Sequence, residues 1–264
     1  MNSSDVSAVA AKAGDHPVIE WGARVGYVAV GLIHLVIAWI ALKVAWGIGG
    51  GSKKADTSGA LTTLSSSGTG AVLLWVCAVG FLLLAVWQAS EAAVRFQDTG
   101  DRVKAASKAV LYVFFAWTTF KVVTGGSAGS SEKQTEDFTA TLMGNGLGRL
   151  LVGVIGLVVL GIAGYHVYKG WKKKFLEDLR EHPGDWAVHA GRTGYIAKGL
   201  ALLVVGFFFL VAAVQADPDK AQGLDGALKT FKEAPFGPFL LTLVAIGIAA
   251  YGVYSFARAR YARV

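Results

Sequence analysis

Residues Val25–Leu42 carry no formal charge, and neither do residues Gly70–Ser90. A helix needs about 20 apolar residues to cross ~30 Å of hydrocarbon, so runs of this length commit the chain to lipid. Only 16% of its 264 residues are charged and 54% are hydrophobic, whereas soluble domains carry roughly 25% charged residues. Six spans follow, near Val25–Trp46, Gly70–Ala93, Ala106–Thr124, Gly148–Tyr168, Tyr195–Gln215 and Phe236–Ala257. The runs are continuous and do not alternate, which favours helices over barrel strands. The expected fold is an all-α integral membrane bundle.

Lys and Arg set the expected orientation. Sixteen of the 25 basic residues fall in the N-terminal segment through Arg24, the 94–108 and 169–198 connections and the C-terminus. The positive-inside rule places that side, with both termini, in the cytoplasm. The stretch "KGWKKKFLEDLREH" just past the fourth span reinforces this. The first 20 residues lack the apolar core of a signal peptide and read as a flexible cytoplasmic tail. The net charge of +7 is then a topology signal. No basic face accompanies a nucleic-acid-binding module, so no nucleic-acid partner is expected.

The phrase "GARVGYVAVGL" (22–32) returns as "AGRTGYIAKGL" (190–200), with six of eleven positions identical. A shift of 78 residues reveals a more degenerate middle copy. It carries Arg24 to Arg102, Trp39 to Trp117 and Trp87 to Tyr165. The third copy lies 90 residues further at its start and 89 at its end, where Tyr165 reaches Tyr254. Two separate segments of each copy obey nearly one shift, which marks true internal repeats. The chain therefore divides into the tail (1–20), hairpin 1 (21–94), hairpin 2 (95–170), a cytoplasmic linker (171–189) and hairpin 3 (190–264). Each hairpin has two spans, so all enter from one side, and a bundle with approximate threefold pseudosymmetry is expected. The outer connections "GALTTL" (59–64), "DFTATL" (137–142) and "GALKTF" (226–231) also match. They read either as short interfacial helices or as ordered turns.

"RTGYIAKGLALLVVGFFFLVAA" followed by "GALKTFKEAPFGPFLLTLVAIGIAAYGVYSFARARY" resembles the domain of unknown function 1206 family. The resemblance spans residues 20–262, is best in the third copy and weakest in the second, where "KAASKAVL" stands. It implies a bacterial membrane protein of tandem two-helix modules. The family has no assigned activity, so no active site transfers.

Several residues are candidates for function. Arg24, Arg102 and Arg192 occupy one position in the three copies, with Lys108 and Lys198 nearby. They read either as a basic ring capturing an anionic headgroup or as snorkelling anchors. His34, Glu91 and His166 are ionisable groups inside spans, which makes them functional candidates. A hydrogen-bonded structural role is the plainer reading for His34, and Glu91 has Arg95 one turn away. Haem ligation by His34 and His166 needs one depth, yet they stand ~15 Å and ~5 Å from their helix ends. No paired-Cys or His-x-x-x-His spacing suggests a metal, and no cofactor is expected. Gly153, Gly156, Gly161 and Gly164 fall within a ~140° arc of the fourth span and read as a close-packing face.

"GGSAG" (125–129) and Ser130 with Lys133 match nucleophile patterns by letter. The Gly-x-Ser-x-Gly elbow needs a preceding strand, and none is available. The sequence thus points to a non-enzymatic scaffold, accessory or lipid-binding protein of the bacterial inner membrane. Its expected partners are membrane lipids and possibly another membrane protein. The alternative is a transporter or channel for a small or amphiphilic solute.

Overall fold

The computed structural model describes residues 17–48, 54–66, 70–95, 99–126 and 131–263. The tail up to residue 16 lies outside them, as do Ser127 and Ser130 of the two serine patterns. Nine helices account for nearly all of the described chain: α1 (Pro17–Ala45), α2 (Thr57–Ser65), α3 (Gly70–Ser90), α4 (Thr99–Val123), α5 (Ser131–Leu142), α6 (Gly146–Trp171), α7 (Asp185–Gln215), α8 (Leu224–Glu233) and α9 (Gly237–Tyr261). Six of them, α1, α3, α4, α6, α7 and α9, are long and apolar enough to cross a membrane. The three short ones, α2, α5 and α8, occupy the matched outer connections, so helix prevails there over turn. Asn145 caps α6 by accepting from the Gly148 N–H at 2.8 Å, which satisfies a donor that the first turn leaves open.

Helix α1 starts at Pro17, two turns before its apolar stretch; proline suits a first turn, where no N–H is needed. Helix α7 starts ten residues before Tyr195, so the last five residues of the expected linker are helical. The stretch before them includes an ordered 3-10 turn, Lys174–Asp178. It is held by Phe175, which is fully buried.

The chain gathers into two compact units. The first comprises the described residues within 1–32, 61–128 and 255–264. In it, α1 crosses α3 at glycine. A Cβ on Gly26 would fall 2.1 Å from Leu84 Cγ and 2.6 Å from the Gly80 carbonyl oxygen. Absent side chains allow this approach, the usual device where lipid offers no hydrophobic drive between helices. Helix α4 packs on α3 through aromatic contacts: Phe81 lies 6.3 Å from Tyr112 and 5.6 Å from Phe115, and Trp75 meets Phe120 edge-on at 6.0 Å.

The second unit comprises residues 33–60 and 129–254. Helix α7 crosses α9 in the same way that α1 crosses α3. A Cβ on Gly194 would lie 2.5 Å from the Tyr251 backbone, and one on Gly247 would lie 2.1 Å from Ala197 Cβ. The sequence shift equates Gly26 with Gly194, Gly80 with Gly247 and Leu84 with Tyr251, so hairpins 1 and 3 share one crossing. In hairpin 2 the two glycines become Lys104 and Val158, and both are exposed. Helix α7 also packs on α6, where Gly199 sits over Ala163 and Val167, and Gly206 over Leu160. At the far end of α7, Arg149 donates to the carbonyls of Ala213 and Val214.

The glycine face of α6 needs correcting. Gly156 is tightly packed, its Cβ position 3.0 Å from Leu210 and 3.1 Å from the Gly206 carbonyl oxygen, and Gly153 has ordinary contact with Ala213. Gly161 and Gly164 meet nothing within 4 Å and are exposed. The contact face runs through Val152, Gly156 and Ala163. At 100° per residue Gly161 lies roughly 180° from Val152, which is 0% exposed. A glycine arc shows where a helix is smooth; it does not show which flank a neighbour takes.

Seven of the eight tryptophans are exposed and only Trp87 is buried. The exposed seven stand within about two turns of a span end, the headgroup level that indole prefers. Gly156→Leu is expected to lower the thermal midpoint in detergent by overpacking, typically ~1–3 kcal/mol. Gly161→Leu should leave it unchanged. Equal losses in both variants would contradict this placement of α6.

Candidate functional site

The last carbonyls of a helix have no partner within it, and an arginine near that end can supply donors. Arg24 Nη1 donates to the Ala259 carbonyl at 3.1 Å and to that of Arg260, both in the last turn of α9. Its Nη2 donates to Glu20 at 2.9 Å. Arg102 Nε donates to the Ala92 carbonyl at 3.0 Å, in the π-turn Glu91–Arg95 that ends α3. The Arg192 guanidinium lies 5.2 Å from the centre of the Trp171 ring, at the last residue of α6. One rule covers all three. The arginine of each repeat meets the C-terminal end of the outgoing helix of the repeat before it, repeat 3 standing before repeat 1.

One turn deeper, a second contact follows the same rule. Arg258 lies over the Tyr27 ring at 4.1 Å and its Nη2 donates to the Tyr27 hydroxyl at 2.9 Å. Lys169 lies over the Tyr195 ring at 5.5 Å. The repeat shift equates Arg258 with Lys169. Each tyrosine also meets the matching aromatic of its own hairpin, Trp87 at 6.1 Å for Tyr27 and Tyr254 at 5.7 Å for Tyr195. Cation–π contacts of this kind strengthen as water is removed, and Tyr27 is 1% exposed and Tyr195 5%. At the joint between repeats 1 and 2 both partners differ together. Ala105 replaces the ring, and Glu91, which is buried, replaces the cation.

The glycines one turn past each tyrosine behave as small contact residues. Gly31 is buried, and a Cβ on Gly199 would lie 2.6 Å from Val167. Ala109 serves the middle copy and is likewise buried.

The remaining candidates join or border this framework. Lys198 Nζ sits 4.3 Å over the Tyr251 ring, whereas Lys108 is exposed. His34 is half-buried, its ring 4.8 Å from that of Tyr251. His166 Nδ1 is 2.8 Å from the Ile162 carbonyl oxygen, and its ring is 5.7 Å from that of Tyr195. The two imidazoles therefore border one aromatic cluster, each against a different tyrosine. Phe175 completes it, stacked 5.5 Å from Tyr195, while its carbonyl accepts from the Tyr254 hydroxyl at 2.9 Å. Lys169 also pairs with Asp178 at 2.6 Å, which fixes the 3-10 turn to α6. Among the described residues no three His, Cys, Asp or Glu side chains gather as a metal set.

Sequence reasoning missed Lys169, Arg258, Phe175 and Arg260. The first two were within reach, because the repeat shift pairs them and each lies one turn from a span end. Phe175 gave no signal, since its burial depends on space left by Gly191: a Cβ there would lie 2.5 Å from the Phe175 ring.

A cleft of about 590 Å³ opens between the first turns of α1 and the last turns of α9, within the first unit. Val25, Val28, Phe256 and Ala259 form apolar walls, and Glu20, Trp21, Arg24 and Arg260 form the rim.

The family model described as Domain of Unknown Function (DUF1206) matches the chain three times, over residues 25–95, 103–173 and 193–262. Each match covers one hairpin with its tyrosine or alanine position and its Glu91, Lys169 or Arg258 position, and starts at the residue after Arg24, Arg102 or Arg192. An uncharacterized protein, YxxB, of Bacillus subtilis (strain 168) is 28% identical over 257 residues, spanning 93% of this chain and 92% of that relative. No solved structure matches the chain.

Tyr27→Ala is expected to cost about 3–5 kcal/mol, as large aromatic truncations do. Tyr27→Phe forfeits one hydrogen bond to a charged group, about 1.5–3 kcal/mol. Ala105→Gly, at the ring-free equivalent, should cost only ~1 kcal/mol. Thermal unfolding in detergent gives the order, and a Tyr27→Ala variant as stable as Ala105→Gly would overturn the role given to the ring.

Proposed function

We propose that this chain, which belongs to the Domain of Unknown Function (DUF1206) family, is a non-enzymatic, lipid-binding scaffold or accessory protein of the bacterial cytoplasmic membrane, with both termini in the cytoplasm. Six helices are long and apolar enough to cross a membrane, and a bacterial relative spans nearly the whole chain. The observation that carries the lipid-binding reading is the cleft between α1 and α9, apolar along its walls and amphipathic at its rim. A ligand with a polar head and an apolar body matches that surface. The scaffold reading draws support from the repeated polar groups, because Arg24, Arg102, Arg192 and Lys198 hold helix ends and rings together. The cytoplasmic placement of the termini rests on the split of basic residues between the two sides.

Native mass spectrometry of the full chain purified from a bacterial membrane should show retained lipid; delipidated protein that takes up none on lipid addition would refute the reading. Orientation is checked by cysteine labelling, for which the single native Cys77 is buried. In intact cells, Lys133→Cys should react with a membrane-impermeant maleimide and Arg180→Cys should react only after permeabilisation. The opposite pattern would invert the topology.

A further inference from the structure

We infer that the α1–α9 cleft takes an anionic phospholipid, its phosphate held by Arg260 and an acyl chain lying along Val25, Val28 and Phe256. This rests on the lipid-binding reading and specifies its headgroup. The cleft lies at the ends of two membrane-crossing helices, so a bilayer lipid meets it at its own headgroup depth. Its charge is what selects. Arg24 and Glu20 neutralise one another at 2.9 Å. Arg260 rests against the Tyr261 ring at 5.4 Å, a contact that cancels no charge. The rim therefore keeps one excess guanidinium, whose planar fork suits phosphate oxygens.

A helix C-terminus carries partial negative charge and would repel an anion. Here Arg24 covers the Ala259 and Arg260 carbonyls with its N–H groups. Arg24 is thus a positioning residue. It masks the negative helix end and fixes the turn that bears Arg260, leaving Arg260 to bind the headgroup. Trp21, 70% exposed at the rim, adds an indole at the depth where such rings settle. A free phosphate would use the Arg260 end alone. The apolar walls favour a lipid as its source.

The test uses the full chain in detergent, titrated with dioleoyl phosphatidylglycerol or dioleoyl phosphatidylcholine and read by native mass spectrometry. Wild type should prefer phosphatidylglycerol by about tenfold, because both lipids offer Arg260 a phosphate and only phosphatidylcholine adds a trimethylammonium cation that the excess guanidinium repels. Arg260→Gln should abolish the preference with the thermal midpoint unchanged. Val28→Trp, which fills the wall, should weaken both lipids. Inorganic phosphate at millimolar concentration should not displace phosphatidylglycerol. Arg260→Gln with the wild-type preference, or displacement by phosphate together with an inert Val28→Trp, would overturn the inference and leave general lipid binding standing. Wild type that binds neither lipid would overturn the lipid-binding reading as well.

Discussion

The last carbonyls of a helix that ends at a membrane surface need donors, and in this protein arginines from a neighbouring repeat provide them. Arg24 reaches the end of α9 and Arg102 the end of α3. Arg192 meets the end of α6 through the Trp171 ring instead of a carbonyl. Each such contact joins two repeats at the end of a helix long and apolar enough to cross a membrane. The cation–ring contacts one turn deeper, Arg258 on Tyr27 and Lys169 on Tyr195, strengthen the same joints. Close crossings depend on these joints. Gly26 against Gly80, Gly194 against Tyr251 and Gly247 against Ala197 leave no space for sliding, so the register at the helix ends and the register at mid-helix must agree.

Repeats 1 and 3 share the crossing glycines and the ring, and repeat 2 departs from them. Its crossing positions carry Lys104 and Val158 and its ring position Ala105, and the residue of repeat 1 that stands where a cation would meet that ring is Glu91. A paired change of ring and cation is understandable, since a buried cation without its ring, or a ring facing a carboxylate, would lose the stabilising quadrupole interaction. The departure coincides with exposure: α4 and α6 carry large apolar side chains such as Val110 and Leu150 on their surfaces. In a membrane those surfaces meet lipid, to which the repeat's loss of close helix contacts is no handicap.

Engagement of the three repeat-equivalent arginines in structural contacts changes how a lipid could be recognised. A ring of three equivalent arginines suggests headgroup capture by all three. Arg24 and Arg102 instead direct donors to carbonyls, and Arg192 lies on indole. Charge for a ligand then comes from Arg260, a residue outside the repeated phrase, beside walls made by two helices distant in sequence. The repeat thus builds the frame, and the selective group is added at its edge.

The sequence by itself determined the helical class, the six spans and the three repeats, because these follow from local composition and from a periodicity that survives without coordinates. Charge-free runs of some 20 residues have one stable form in hydrocarbon, and the shift that carries Arg24 to Arg102 and Arg192 is visible in letters. The likeness of Tyr27 and Tyr195 was legible for the same reason. Tertiary structure decided what depends on the azimuth of a helix and on the space between distant segments. Gly156 packs and Gly161 does not because α7 lies on one flank of α6, and periodicity cannot specify a flank when both are smooth and apolar. Phe175 is buried because Gly191 leaves it space, and the cleft exists because the ends of α1 and α9 meet. Lipid removes the polar–apolar contrast by which a soluble helix betrays its inward face, so only packing could fix these positions.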